Sequence, residues 1–129
     1  MKTIAAPHAN PRKPAFTRPP GARDAHCHVF GPAVRFPYAP ARRYTPPDAP
    51  AAQLAAPHRH LGIARAVLVQ ASVHGSDNRA MLDAIAGDPP NHRGVAMVEA
   101  SRRADTLWRN RLFAFARAVR AQFHENCHK

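Results

Sequence analysis

The chain is 129 residues long and 45% hydrophobic, with 14 prolines, two cysteines and a formal net charge of +11. That length holds one domain of ordinary size, no apolar run is long enough to span a bilayer, and Cys27 and Cys127 are too few and too far apart for a disulfide framework. The excess charge sits at the ends: residues 1–25 carry five basic groups against one acidic and residues 101–129 seven against two, while the stretch between has only seven against five, with few aromatics to stack on bases, which argues against a small basic protein that binds nucleic acid or another anion.

Residues 1–20, "MKTIAAPHANPRKPAFTRPP", have neither an apolar period nor the apolar core of a secretory signal. They are expected to form a flexible arm on a cytoplasmic protein. "DAHCHVF" (24–30) alternates His26, His28 and Phe30 with Ala25, Cys27 and Val29, the pattern of a strand stopped by Gly31 and Pro32. Residues 31–50 are dense in proline and aperiodic, and predict a long irregular loop over the surface.

"PAAQLAAPHRHLGI" puts Leu54, His58 and Leu61 on one helical face with Gly62 as the stop. Pro57 interrupts it, so the helix is expected to start near Pro57 or to kink there. "ARAVLVQAS" (64–72) is the strongest strand, apolar enough for burial on both faces. Ser76 or Asp77 then caps a helix that turns Met81, Leu82 and Ile85 inward and ends at Gly87 and Pro89. "HRGVAMVEA" (92–100) reads as a third strand, and residues 101–119 as a further helix. Alternating strands and helices make an α/β chain of βαβ units with a parallel sheet. Doubly wound and barrel folds both begin this way.

His26 and His28, two apart on a strand, converge on one small volume, where they suit a divalent metal or an anionic oxygen. The plainer reading leaves them in solvent or in structural hydrogen bonds. Cys27 points the other way, as a small buried residue. His74 and His92 carry no motif and are expected to be loop or surface residues.

"DAHCHVFGP", followed in order by "RFPYAPARRYTPPDAP", "LGIARAVLVQASVHGSDNRAMLDAIA" and "RGVAMVE", resembles the start of an amidohydrolase-superfamily enzyme over residues 19–99. Within that superfamily the likeness is to the branch that opens the lactone ring of a pyrone dicarboxylate or a similar small carboxylated lactone. The resemblance implies a TIM-like (β/α)8 barrel with its chemistry at the C-terminal ends of the strands. It makes His26 and His28 the residues that hold substrate and polarise the lactone carbonyl, with no metal required. Tyr44 and Ser72 would bind substrate from the first long loop and the end of the second strand. The alternative within the same fold is a metal-dependent amidohydrolase or decarboxylase, with zinc or manganese on His26 and His28.

A whole barrel takes roughly 250 residues, so this chain is expected to hold three to four of the eight βα units, over residues 21–123. The family's later histidine, its general-base aspartate and its carboxylate-binding arginines have no counterpart here. The 129-residue product is therefore expected to fold poorly and to be inactive. Residues 124–129 form a divergent tail. One back-translation of "QFHENCHK", read with its first base removed, gives "NFMKTVI", so a one-base slip near this point is expected to have ended the frame.

Overall fold

The computed structural model describes residues 2–8 and 10–98. The helix expected over 101–119 and the tail at 124–129 lie outside them. In chain order the elements are β1 (Lys2–Thr3), β2 (Arg23–Cys27), β3 (Tyr44–Thr45), α1 (Ala51–Leu61), β4 (Arg65–Val69), a 3₁₀ turn (Ser72–His74), α2 (Arg79–Gly87) and β5 (His92–Val95). β2, β4 and β5 form one parallel sheet in the order β2–β4–β5, and β1 pairs in parallel with β3.

β4 takes the centre because it is the most apolar strand. Ala66 and Leu68 are 2% and 0% exposed. They pack in one cluster with Cys27 of β2 and with Met81, Ala84 and Ile85 of α2, while Ala51 and Leu54 of α1 lie against its margin. Removing a leucine side chain from water is worth about 1.5–3 kcal/mol, so this helix-covered face is where the sheet is held. Val67, Val69 and Val95 point to the other face and are only half-buried.

α1 begins at Ala51 and runs through Pro57, so the start near Pro57 is corrected. Gly62 ends it with a positive φ of 67°, and the Gly62 and Ile63 N–H groups donate to Arg59 and His58 carbonyls. The N-cap of α2 is Asn78, without a side-chain cap, so the cap expected at Ser76 or Asp77 is corrected by one residue; Asp77, just before it, still accepts the Arg79 N–H at 3.2 Å. Met81 and Ile85 are buried as expected, and Leu82 is half-buried.

Three expectations need adjustment. The first strand ends at Cys27 rather than Phe30. The 31–50 loop is more than a surface cover: Phe36 enters the core at 7% exposure, and Phe30 and Ala49 exchange two backbone hydrogen bonds of 3.0 and 2.7 Å. The start of the arm is tied down, because β1 borrows the backbone of β3 to satisfy its own hydrogen-bonding groups.

Candidate active site at the strand ends

The pairing of β2 with β4 is broken by one extra residue. Asp24 lies opposite Ala66 and Cys27 opposite Leu68, so three steps along β2 match two along β4. That is a β-bulge, which re-aims side chains. Ala66 and Leu68 share the helix-covered face, and Asp24 and Cys27 therefore share it too. His26 and His28 flank Cys27 and fall on the opposite, open face, as the alternation of a strand requires.

The two imidazoles converge: their ring centroids lie 4.9 Å apart at 79°. His28 Nδ1 is 2.9 Å from the Val69 carbonyl oxygen. A carbonyl only accepts, so Nδ1 carries the proton and the neutral ring leaves its Nε2 lone pair for a ligand or a proton. Donation from Nε2 to a developing oxyanion takes a second proton on the ring. His28 also lies 5.9 Å from the Phe30 ring. With Ile4, Ala5 and Pro7 of the arm and Pro46 and Pro47 of the loop, these two residues line an apolar hollow of about 170 Å³.

Ser72 stands just beyond β4, exposed, as the first residue of the 3₁₀ turn. His28 is bonded to Val69, so the two sit at the C-terminal ends of neighbouring strands. Gln70 shapes that end: its side-chain amide donates to the Gly75 and Asp77 carbonyls at 3.0 and 2.9 Å. Tyr44 is half-buried on β3, and its phenol makes no hydrogen bond among the described residues. It lies two positions before Pro46 at the hollow's wall, but it does not itself line the hollow with His28.

The supporting residues escaped the sequence reading. Asp24 Oδ1 accepts the His26 N–H at 3.1 Å, and its Oδ2 lies 2.9 Å from His58 Nε2 on α1. Burial works against the Asp24 charge, but the hydrogen bonds from His58 and His26 and their nearby charge outweigh it, and the carboxyl sits below its ordinary value. His74, expected at the surface, is 3% exposed. Its Nδ1 faces the Pro37 carbonyl at 3.2 Å, and its Nε2 accepts the Gly31 N–H at 3.2 Å. It ties the 31–40 loop to the end of β4. His92 is half-buried at the start of β5, with Nδ1 3.2 Å from the Ala84 carbonyl. Burial, then the charge of Asp24, pushes the Cys27 thiol up to about 12, so it is no nucleophile.

His26 and His28 supply two ligands. Among the described residues no third histidine, cysteine or carboxylate joins them, since the one group of three potential ligands lies on the other side of the sheet. The described part of the chain thus does not complete a metal centre at the pair.

A parallel βα sheet with a histidine pair at the C-terminal end of its first long strand is the opening of a barrel hydrolase. The amidohydrolase family model matches residues 23–128, and the chain belongs to that family. It is 60% identical over 94 residues to a 2-pyrone-4,6-dicarboxylate hydrolase of Comamonas testosteroni, covering 73% of this chain and 31% of that protein. To a 4-sulfomuconolactone hydrolase of Hydrogenophaga intermedia it is 46% identical over 78 residues, covering 60% and 25%. A crystal structure of a probable 2-pyrone-4,6-dicarboxylic acid hydrolase from Acinetobacter baumannii, with citric acid bound, aligns at a TM-score of 0.64 and 28% identity over 71% of this chain and 34% of its own. One from Pseudomonas putida, a putative enzyme of the same name, aligns at 0.58 and 39%, over 69% and 32%. The chain thus spans about a third or less of the relatives it matches, and its fold is the N-terminal part of their α/β barrel.

Proposed function

We propose that this chain supplies the first rim of a site that hydrolyses a small carboxylated lactone, of the pyrone-dicarboxylate or muconolactone kind, in a cytoplasmic protein. The observation that carries the reading is the convergence of His26 and His28 on the open face at the strand ends. Water attacks the lactone carbonyl, the carbonyl oxygen gains negative charge, and a protonated imidazole held there stabilises it. Ser72, just beyond β4, offers an exposed hydroxyl suited to a substrate carboxylate, and Tyr44 on β3 is the further substrate-binding candidate. The apolar hollow beside His28 suits the flat ring of such a substrate. No metal is required in this reading. In the metal-dependent alternative, zinc or manganese on His26 and His28 would need ligands from beyond the described residues.

The test is a chimera in which residues 23–98 replace the matching segment of the Comamonas hydrolase. It is expected to open 2-pyrone-4,6-dicarboxylate, and His26→Ala or His28→Ala is expected to lower kcat/KM by about 100-fold, the loss typical of one oxyanion donor. A folded chimera without turnover overturns the reading. Activity that vanishes on chelation and returns with zinc or manganese, in a chimera that also carries Cys27→Ser, transfers it to the metal-dependent alternative. The isolated 129-residue chain is expected to show no turnover.

A further inference from the structure

On the helix-covered face of the sheet, Asp24, Cys27 and His58 bring one carboxylate oxygen, one sulfur and one imidazole nitrogen within 4.8 Å of one another. We propose that these three side chains form a binding site for a borderline-soft divalent cation, zinc in the first instance, which staples α1 to β2. The bulge is what assembles it. In an unbroken strand, residues three apart face opposite ways, and the extra residue between Asp24 and Cys27 turns both toward α1.

The donor set fits the ion. Thiolate, imidazole and carboxylate are the groups that hold zinc in tetrahedral sites, at distances of about 2.0–2.3 Å. Tetrahedral ligand atoms then lie roughly 3.5 Å apart, so side-chain movements of about 1 Å suffice. Binding is a proton-for-metal exchange. The Cys27 thiol releases its proton to solvent and gives a zinc–sulfur bond, the proton that His58 Nε2 holds toward Asp24 passes to Nδ1 (or to solvent, from a doubly protonated ring) and frees the Nε2 lone pair, and Asp24 gives Oδ2. One thiolate and one carboxylate balance the dication, so the half-enclosed site carries no net charge. The His58 side chain is 11% exposed and that of Asp24 27%, which leaves the Asp24 side open for water as the fourth ligand.

Cobalt(II) titration of the purified chain reads the site. A tetrahedral thiolate complex gives near-ultraviolet charge-transfer absorption and visible d–d bands, expected to saturate at one ion per chain and to be displaced by zinc. Cys127→Ser keeps the signal, as does the His26→Ala/His28→Ala double variant. His58→Gln is expected to weaken binding by more than the roughly 10–100-fold that loss of an outer-shell partner already costs. Cys27→Ser removes the charge-transfer band. In the unmodified chain, zinc is expected to raise the urea midpoint, a readout that does not rely on any variant folding. The proposal is overturned by the absence of a thiolate band, by its loss in Cys127→Ser or the double histidine variant, or by a urea midpoint that zinc leaves unchanged.

Discussion

Replacing Asp24 by Asn keeps the shape of the side chain and the acceptor for the His26 N–H but removes the charge that faces His58. Hydrogen bonds to charged groups are worth about 1.5–3 kcal/mol. The Asp24 side chain is 27% exposed, so water competes for it and the expected loss near neutrality is about 1–2 kcal/mol. The sign with pH follows from the lowered carboxyl. A group depressed from 3.8 on folding contributes its stability above that value and loses it as pH falls through the lower folded one. The gap between the parent chain and Asp24→Asn should therefore be full at neutral pH and close on acidification below about pH 4. Urea midpoints measured across that range, with chelator present to keep metals out, give the comparison. A gap that persists unchanged into acid, or none at neutrality, refutes the claim that an ionised Asp24 paired to His58 holds the bulge.

Gly94→Ala tests the packing of α2 on β5. An added Cβ would lie 2.7 Å from Ile85 Cδ1 and 3.2 Å from Met81 Sδ, both on buried side chains, so a loss of about 1–3 kcal/mol is expected in urea unfolding. Gly87→Ala is the control: nothing lies within 4 Å, and at the end of a helix alanine should be neutral or better by up to about 0.5–1 kcal/mol. His74→Ala strands the buried Gly31 N–H without its acceptor, and should cost about 1–3 kcal/mol while raising amide exchange at Gly31 above the rest of the chain.

What could be read from residues alone divides along a physical line. β4 and α2 were legible because their burial is periodic and local: Ala66 and Leu68 alternate with Val67 and Val69, and Met81 and Ile85 fall on one helical face. Pro57 misled because a residue-by-residue penalty of about 3 kcal/mol can be outweighed by tertiary packing. Here Leu54 and His58 hold α1 on both sides of the proline against the core and Asp24. His58 and His74 were missed for a common reason. Their partners, Asp24, Gly31 and Pro37, lie far away in the sequence, and a histidine that accepts one backbone N–H or meets one carboxylate leaves no motif. Of the four residues proposed for the site, the histidine pair was suggested by its spacing, and Ser72 and Tyr44 by the resemblance; Ser72 starts the turn after β4, and neither it nor Tyr44 lines the hollow beside His28.

The same irregularity organises both sides of the sheet. By simple alternation Asp24 would have joined His26 and His28, placing a carboxylate on the face proposed to meet a carboxylated substrate. Such a charge would repel the ligand and favour protonated imidazoles through pairing with them instead. The bulge sends Asp24 to the helix side, where His58 answers it, and Asp24 in turn grips the His26 N–H that begins the active face. Relief of repulsion on one side and pairing on the other thus come from a single inserted residue. Deleting Ala25 should therefore leave both faces as they are: Asp24 and Cys27 become two apart and pair regularly with Ala66 and Leu68, so they stay on the helix side while His26 and His28 keep the open one, and only the local bend of the bulge is lost.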